Sequence, residues 1–152
     1  MSIPGLLARG IRTVLDDPEA ETELAELVAA AQLPSDATEH VRQTLEAMPG
    51  LLVAIERSIA ADPTSKRSHA LFDVVVRYAL EENDLIPSHA GKPVLGLLDD
   101  VYLLHLVAYE LRENLLGVSM HSVAGGAALL ESILARSVTQ ELSQIVKSQA
   151  GE

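Results

Sequence analysis

Asp84, Asp99 and Asp100 are the residues of this chain whose type and spacing could support chemistry. Carboxylate oxygens are hard ligands, so three of them converging would suit Mg2+ or Ca2+. A metal held there could activate water for phosphoester hydrolysis, with His69 or Asp73 assisting. Each aspartate also has a structural reading that needs no ligand. Asp84 can accept from nearby backbone N–H groups in a turn. If Gly96 is a helix N-cap, Asp99 falls at the third helical position and Asp100 favours the positive helix end. No cofactor is therefore expected on the first reading, and Mg2+ or Ca2+ at Asp84, Asp99 and Asp100 belongs to the alternative.

The histidines point less far. His69 and Asp73 lie four apart and can share a helix face, but with Arg77 beyond them they read as an ordinary exposed pair. His105 falls between Tyr102 and Tyr109, and Arg112 extends that strip. The strip is either the lining of a small-molecule pocket between helices or a hydrogen-bonded histidine at the core edge. His40, His89 and His121 have no obvious partners in the sequence. Neither a Ser-His-Asp order nor a phosphate-binding glycine loop, a His-Glu-x-x-His pair or a dinucleotide fingerprint appears, so no catalytic residue is assigned.

These residues must be positioned by helices. Apolar residues recur at helical spacing almost throughout, strand alternation is absent, and breakers divide the chain into about seven helices. The first is amphipathic over 3–15 and ends at Asp16-Asp17-Pro18, where Asp17 is a plausible cap for the second. The second turns Leu24, Leu27, Val28 and Ala31 inward. Its outer face carries Asp16, Asp17, Glu19, Glu21, Glu23 and Glu26 without Lys or Arg and reads as solvated. Asp36 with Glu39 fits a capping box for the third helix. Helices are then expected over 51–61, 65–80, 97–116 and 122–148. The last carries an inner stripe of Leu130, Ile133, Leu134, Val138, Leu142 and Val146, and Gly125-Gly126 near its start allows close helix approach or delays the start.

The connection over 81–96, between helices five and six, is longer than most helix-to-helix loops, which predicts that packing orders it. Leu85 and Ile86 are too apolar to be left in water, and Pro87 and Pro93 stiffen the backbone. With Val94 and Leu95 they form a candidate interaction surface for a protein partner or a second copy. The amphipathic first helix is another.

Composition sets the outer limits. At 152 residues the chain fits one all-α domain over 1–152, a compact bundle. A net charge of −11 opposes a phosphate backbone, so nucleic acid is not an expected partner. The absence of cysteine removes disulfides, thiolate sites and cysteine nucleophiles and fits a reducing cytoplasm. No signal peptide is read at the N-terminus. The longest apolar stretch is interrupted by Asp99, Asp100, His105 and Glu110, so direct membrane insertion is not expected.

Tyr78-Ala79-Leu80, Asp84-Leu85-Ile86-Pro87 and Pro93-Val94-Leu95-Gly96-Leu97-Leu98-Asp99-Asp100 together resemble the signature of the YkvA-like family. The resemblance covers 71–109. It implies a helical domain, with no settled catalytic activity and an association with membranes or fused domains. Peripheral association with a membrane protein joins the expected partners on that basis. Here Glu81-Glu82-Asn83 and Ser88 depart from the family pattern. The readings rank as a noncatalytic helical interaction or scaffold domain first, a metal-binding domain or metal-dependent phosphoester hydrolase second, and a small-molecule binder third.

Overall fold

A computed structural model describes residues 3–79, 93–115 and 117–150. They form eight α-helices, with no strand among the described residues: α1 (Ile3–Leu15), α2 (Pro18–Ala30), α3 (Ala37–Glu46), α4 (Met48–Ala61), α5 (Lys66–Ala79), α6 (Pro93–Glu110), α7 (Met120–Ile133) and α8 (Arg136–Gln149). Of the connection expected over 81–96, residues 81–92, with Asp84, Leu85 and Ile86, lie outside the described residues, and 93–96 are helical as the first turn of α6.

The architecture is organised around α6. Leu98, Val101, Leu103, Leu104, Val107 and Ala108 are fully buried, and with Tyr102 and Asp99, 4% and 2% exposed, they surround this helix on all sides. A helix that is apolar all round requires neighbours on all sides. The other seven supply them, with the most extensive packing from α7 and α5. Leu7 and Ile11 of α1 are buried, and α1 packs on α4 and α6. Thus Leu7 and Ile11 of the first helix help to close the chain's own core.

The largest departure from the sequence pattern is the last expected helix, which is two. Leu134 and Ala135 are extended between α7 and α8. Neither proline nor glycine marks the break. The cause is the spacing of the stripe: Leu130, Leu134, Val138, Leu142 and Val146 recur every fourth residue. Each such step drifts by about 40° around a helix, or roughly 160° from first to last. One straight helix would carry Val146 away from the side that buries Leu130. Breaking it lets Leu130 and Val123 bury on α7 and Leu142 and Val146 bury on α8, which packs on α5 and α6.

Local signals account for several helix ends. Asp17 caps α2 as expected, its Oδ1 accepting from the Glu19 N–H at 2.9 Å, with Pro18 in the first turn. The Asp36 capping box does not form: Asp36 is itself helical and its side chain caps nothing. Helix α4 begins at Met48, so Pro49 sits in its first turn, where a missing N–H is harmless. Helix α2 ends with Gln32 at φ 59°, in the left-handed region, and Leu33 N–H bonding back to Val28 O at 3.1 Å.

Candidate functional site

The start of α6 overturns one expectation. The helix begins at Pro93, so Gly96 is internal rather than an N-cap and Asp99 lies in the second turn. Proline's fixed φ suits the first helical position, which explains the earlier start. The N–H groups of Val94 and Leu95 are instead taken by Glu23 of α2, whose Oε1 and Oε2 accept at 3.0 and 2.8 Å. A carboxylate across the positive end of a helix is stabilising on both hydrogen-bonding and dipole grounds. Sequence reading placed Glu23 on a solvated face; its partners lie more than seventy positions away, so no local signal marks it. Two further residues of that acidic run are also engaged: Asp17 as a cap, and Glu21 in an ion pair with Arg42.

Asp99 and Asp100 are only 2% and 8% exposed. Neither is without a partner. Adjacent positions on a helix leave the axis about 100° apart, so the two carboxylates diverge. No three His, Cys, Asp or Glu side chains gather as metal ligands among the described residues, and Asp84 is not among those. His69 Nε2 lies 2.7 Å from the Pro63 carbonyl, which a ring N–H must satisfy, so this nitrogen is committed to the turn before α5. Val94 is fully buried and Leu95 half-buried. Leu95 N–H and Val94 N–H are the groups Glu23 holds, so both residues have defined roles in the fold.

At the other end, Arg67 of α5 joins two helix termini. Its guanidinium donates to the Glu110 carbonyl at 3.1 Å, to Glu110 Oε2 at 2.8 Å and to the Ala150 carbonyl at 3.3 Å. These carbonyls end α6 and α8, where a cation complements the helix dipole.

The strip around His105 divides. Tyr102 is buried and directs its hydroxyl to Glu131; burial first, then the charge of Glu131 and the hydrogen bond to it, push the phenol pKa up to about 12. Tyr109 is 51% exposed and carries the Arg112 guanidinium over its ring at 4.4 Å. Only His105 turns into a cavity. This cleft, of about 880 Å³, runs between the α3–α4 corner and the N-terminal half of α7. Leu51, Val123 and Leu129 give it apolar walls, and His40, Gln43, Glu46, His121 and Ser122 stand at its polar rim. Its volume lies in the range of small-molecule sites.

His105 is 7% exposed, and its Nδ1 lies 2.7 Å from the Val101 carbonyl one turn earlier. A carbonyl only accepts, so Nδ1 carries the proton. Burial lowers the imidazole pKa below its ordinary value, against a smaller opposing contribution from the Val101 hydrogen bond. The ring is therefore neutral at pH 7, and Nε2 presents a lone pair. That atom has no hydrogen-bond partner among the described residues. The ring fits only because residue 126 is glycine: a Cβ there would lie 2.5 Å from Nε2. The same addition at Gly125 meets nothing within 4 Å. Of the two glycines, Gly126 supplies the close approach that the sequence suggested, and both lie inside α7. The sequence offered His105 as pocket lining or core edge but not the other walls of the cleft, because α3, α4 and α7 meet only in three dimensions.

A smaller depression of about 410 Å³ lies between α1 and the α3–α4 corner, with Arg12, Arg42, Asp16 and Glu46 in its lining. Both signs of charge line it, and Arg42 is already paired with Glu21 and, at 4.0 Å, Glu39. No helix among the described residues is long and apolar enough to cross a membrane. No family model, curated protein or solved structure matches the chain. The YkvA-like resemblance accordingly rests on the residues of the motif alone.

Proposed function

We propose that this chain is a binding domain that takes its ligand into the cleft between the α3–α4 corner and α7. The observation that carries this reading is His105: a nine-tenths buried imidazole with one nitrogen committed to the helix and the other facing the cleft wall. Its Nε2 is an acceptor that no side chain or backbone group among the described residues takes up, at the wall of a cleft where a ligand donor can reach it. The walls come from α3, α4, α6 and α7, with Gly117, Val118 and Ser119 of the connection before α7. The reading takes up the small-molecule binder that ranked third in the sequence, and its seat is the cleft rather than the protein-interaction surface expected at Leu85, Ile86, Val94 and Leu95.

The test is chemical-shift mapping of amide resonances during titration with small apolar fragments, repeated on Ser122→Trp. Ser122 is exposed at the rim, so the indole obstructs the cleft without entering the core. Fragment-dependent shifts confined to 40–51 and 117–129, and lost in Ser122→Trp, support the reading. Shifts scattered over the surface, or none at all, overturn it.

A further inference from the structure

The geometry points to a ligand class: a small, neutral, largely apolar molecule whose single hydroxyl or N–H donor bonds to Nε2 of His105. This inference rests on the binding role just proposed and adds the chemistry of what is bound.

Three observations select that chemistry. First, the polarity of the hydrogen bond is fixed by the protein. Because Nδ1 must donate to the Val101 carbonyl, neutral Nε2 can only accept, and the ligand atom facing it must donate. A carboxylate, ether or ketone at that point would set lone pair against lone pair. Second, the apolar walls of the cleft are Leu51, Val123 and Leu129, and the imidazole packs against the backbone of Gly126. They favour an apolar body through burial and offer no charge to compensate one. Third, Glu46 stands at the rim of a chain with net charge −11, a field that disfavours anions. Planar alcohols of the phenol type meet all three conditions.

Gly126 has a matching role. Its missing Cβ leaves the notch in which the His105 ring sits, so the same absence that permits the α6–α7 contact also keeps the imidazole at the cleft surface. His105 and Gly126 are thus binding residues of one feature, with Val101 a positioning residue that fixes the tautomer.

The experiment compares 2-naphthol with 2-methoxynaphthalene and naphthalene on the whole wild-type chain at pH 7.5, using amide shifts to locate each ligand. One donor separates 2-naphthol from its methyl ether at nearly constant apolar area. The expected result is binding of 2-naphthol in the cleft roughly tenfold tighter than either comparison molecule, the size of one net hydrogen bond. His105→Leu should abolish the preference while leaving naphthalene binding within about twofold. If that variant does not fold, the wild-type series still decides. Equal affinities with all three ligands located in the cleft would overturn the donor class while leaving the binding role standing. Absence of any cleft-centred shift would remove both.

Discussion

Two parts of α6 solve the same problem in opposite ways. In its N-terminal half, Asp99 and Asp100 are buried with partners, and the first free N–H groups are held by both oxygens of Glu23. Along the flank facing α7, His105 is buried to a similar degree but satisfies only one of its two nitrogens within the protein. The first region is closed, with polarity that stabilises the fold. The second is open, with polarity held ready beside a cleft. Burial alone does not distinguish a structural polar group from a binding one; what sets His105 apart is that it borders a cleft.

The sharpest way to break the contrast is at Gly126. Gly126→Ala should destabilise by about 2 kcal/mol through overpacking, because the imidazole that its Cβ meets is anchored by Val101 and cannot swing away. Adding His105→Ala should recover part of this loss, giving a non-additive double-mutant cycle in chemical denaturation. On the closed side, Arg67→Met removes three hydrogen bonds and leaves the mostly buried Glu110 carboxylate without its cation. Arg67 itself is partly exposed, so the expected loss is about 1–2 kcal/mol, read in the same assay. Glu23→Gln keeps one acceptor oxygen but removes the charge at the α6 N-terminus, for a loss of about 1 kcal/mol. Neither of these two changes should alter fragment binding in the cleft.

The smallest substitution effect has the opposite sign. Gly125→Ala, one residue from the position that cannot tolerate a Cβ, should stabilise by about 0.5–1 kcal/mol, since it adds helix propensity in open space. Acid sharpens the comparison further. The folded-state pKa of His105 lies below the ordinary 6.5, so above that pH neither folded nor unfolded chains are protonated there. Below it the unfolded chain takes the proton first, and stability falls with pH until the lowered folded value is passed. Melting temperatures measured from pH 7.5 downwards should drop more steeply in the wild type than in His105→Leu.

The helices were largely legible in the sequence, because periodicity at Leu24 and Val28, at Leu71, Val74 and Val75, and at Leu142 and Val146 reports directly which side is buried. Asp17 was legible as a cap because its partner is two residues away. What the sequence hid depends on distant partners. Glu23 and Arg67 look like solvated charges until α6 is placed against α2 and α5. The break at Leu134 reflects accumulated angular drift against a fixed core, without a breaker residue. His105 stood out by type, but the aromatic strip around it suggested the wrong companions: Tyr102 turns to Glu131 and Tyr109 to Arg112, while the cleft companions come from α3, α4 and α7.

The most direct measurement of the central claim is a long-range proton–nitrogen NMR spectrum of the His105 imidazole at pH 7.5, with and without 2-naphthol. The expected spectrum is that of a neutral ring protonated at Nδ1, with an unprotonated Nε2 resonance that moves when the ligand is added. A ring protonated at Nε2, or an Nε2 resonance unmoved by saturating ligand, would contradict it.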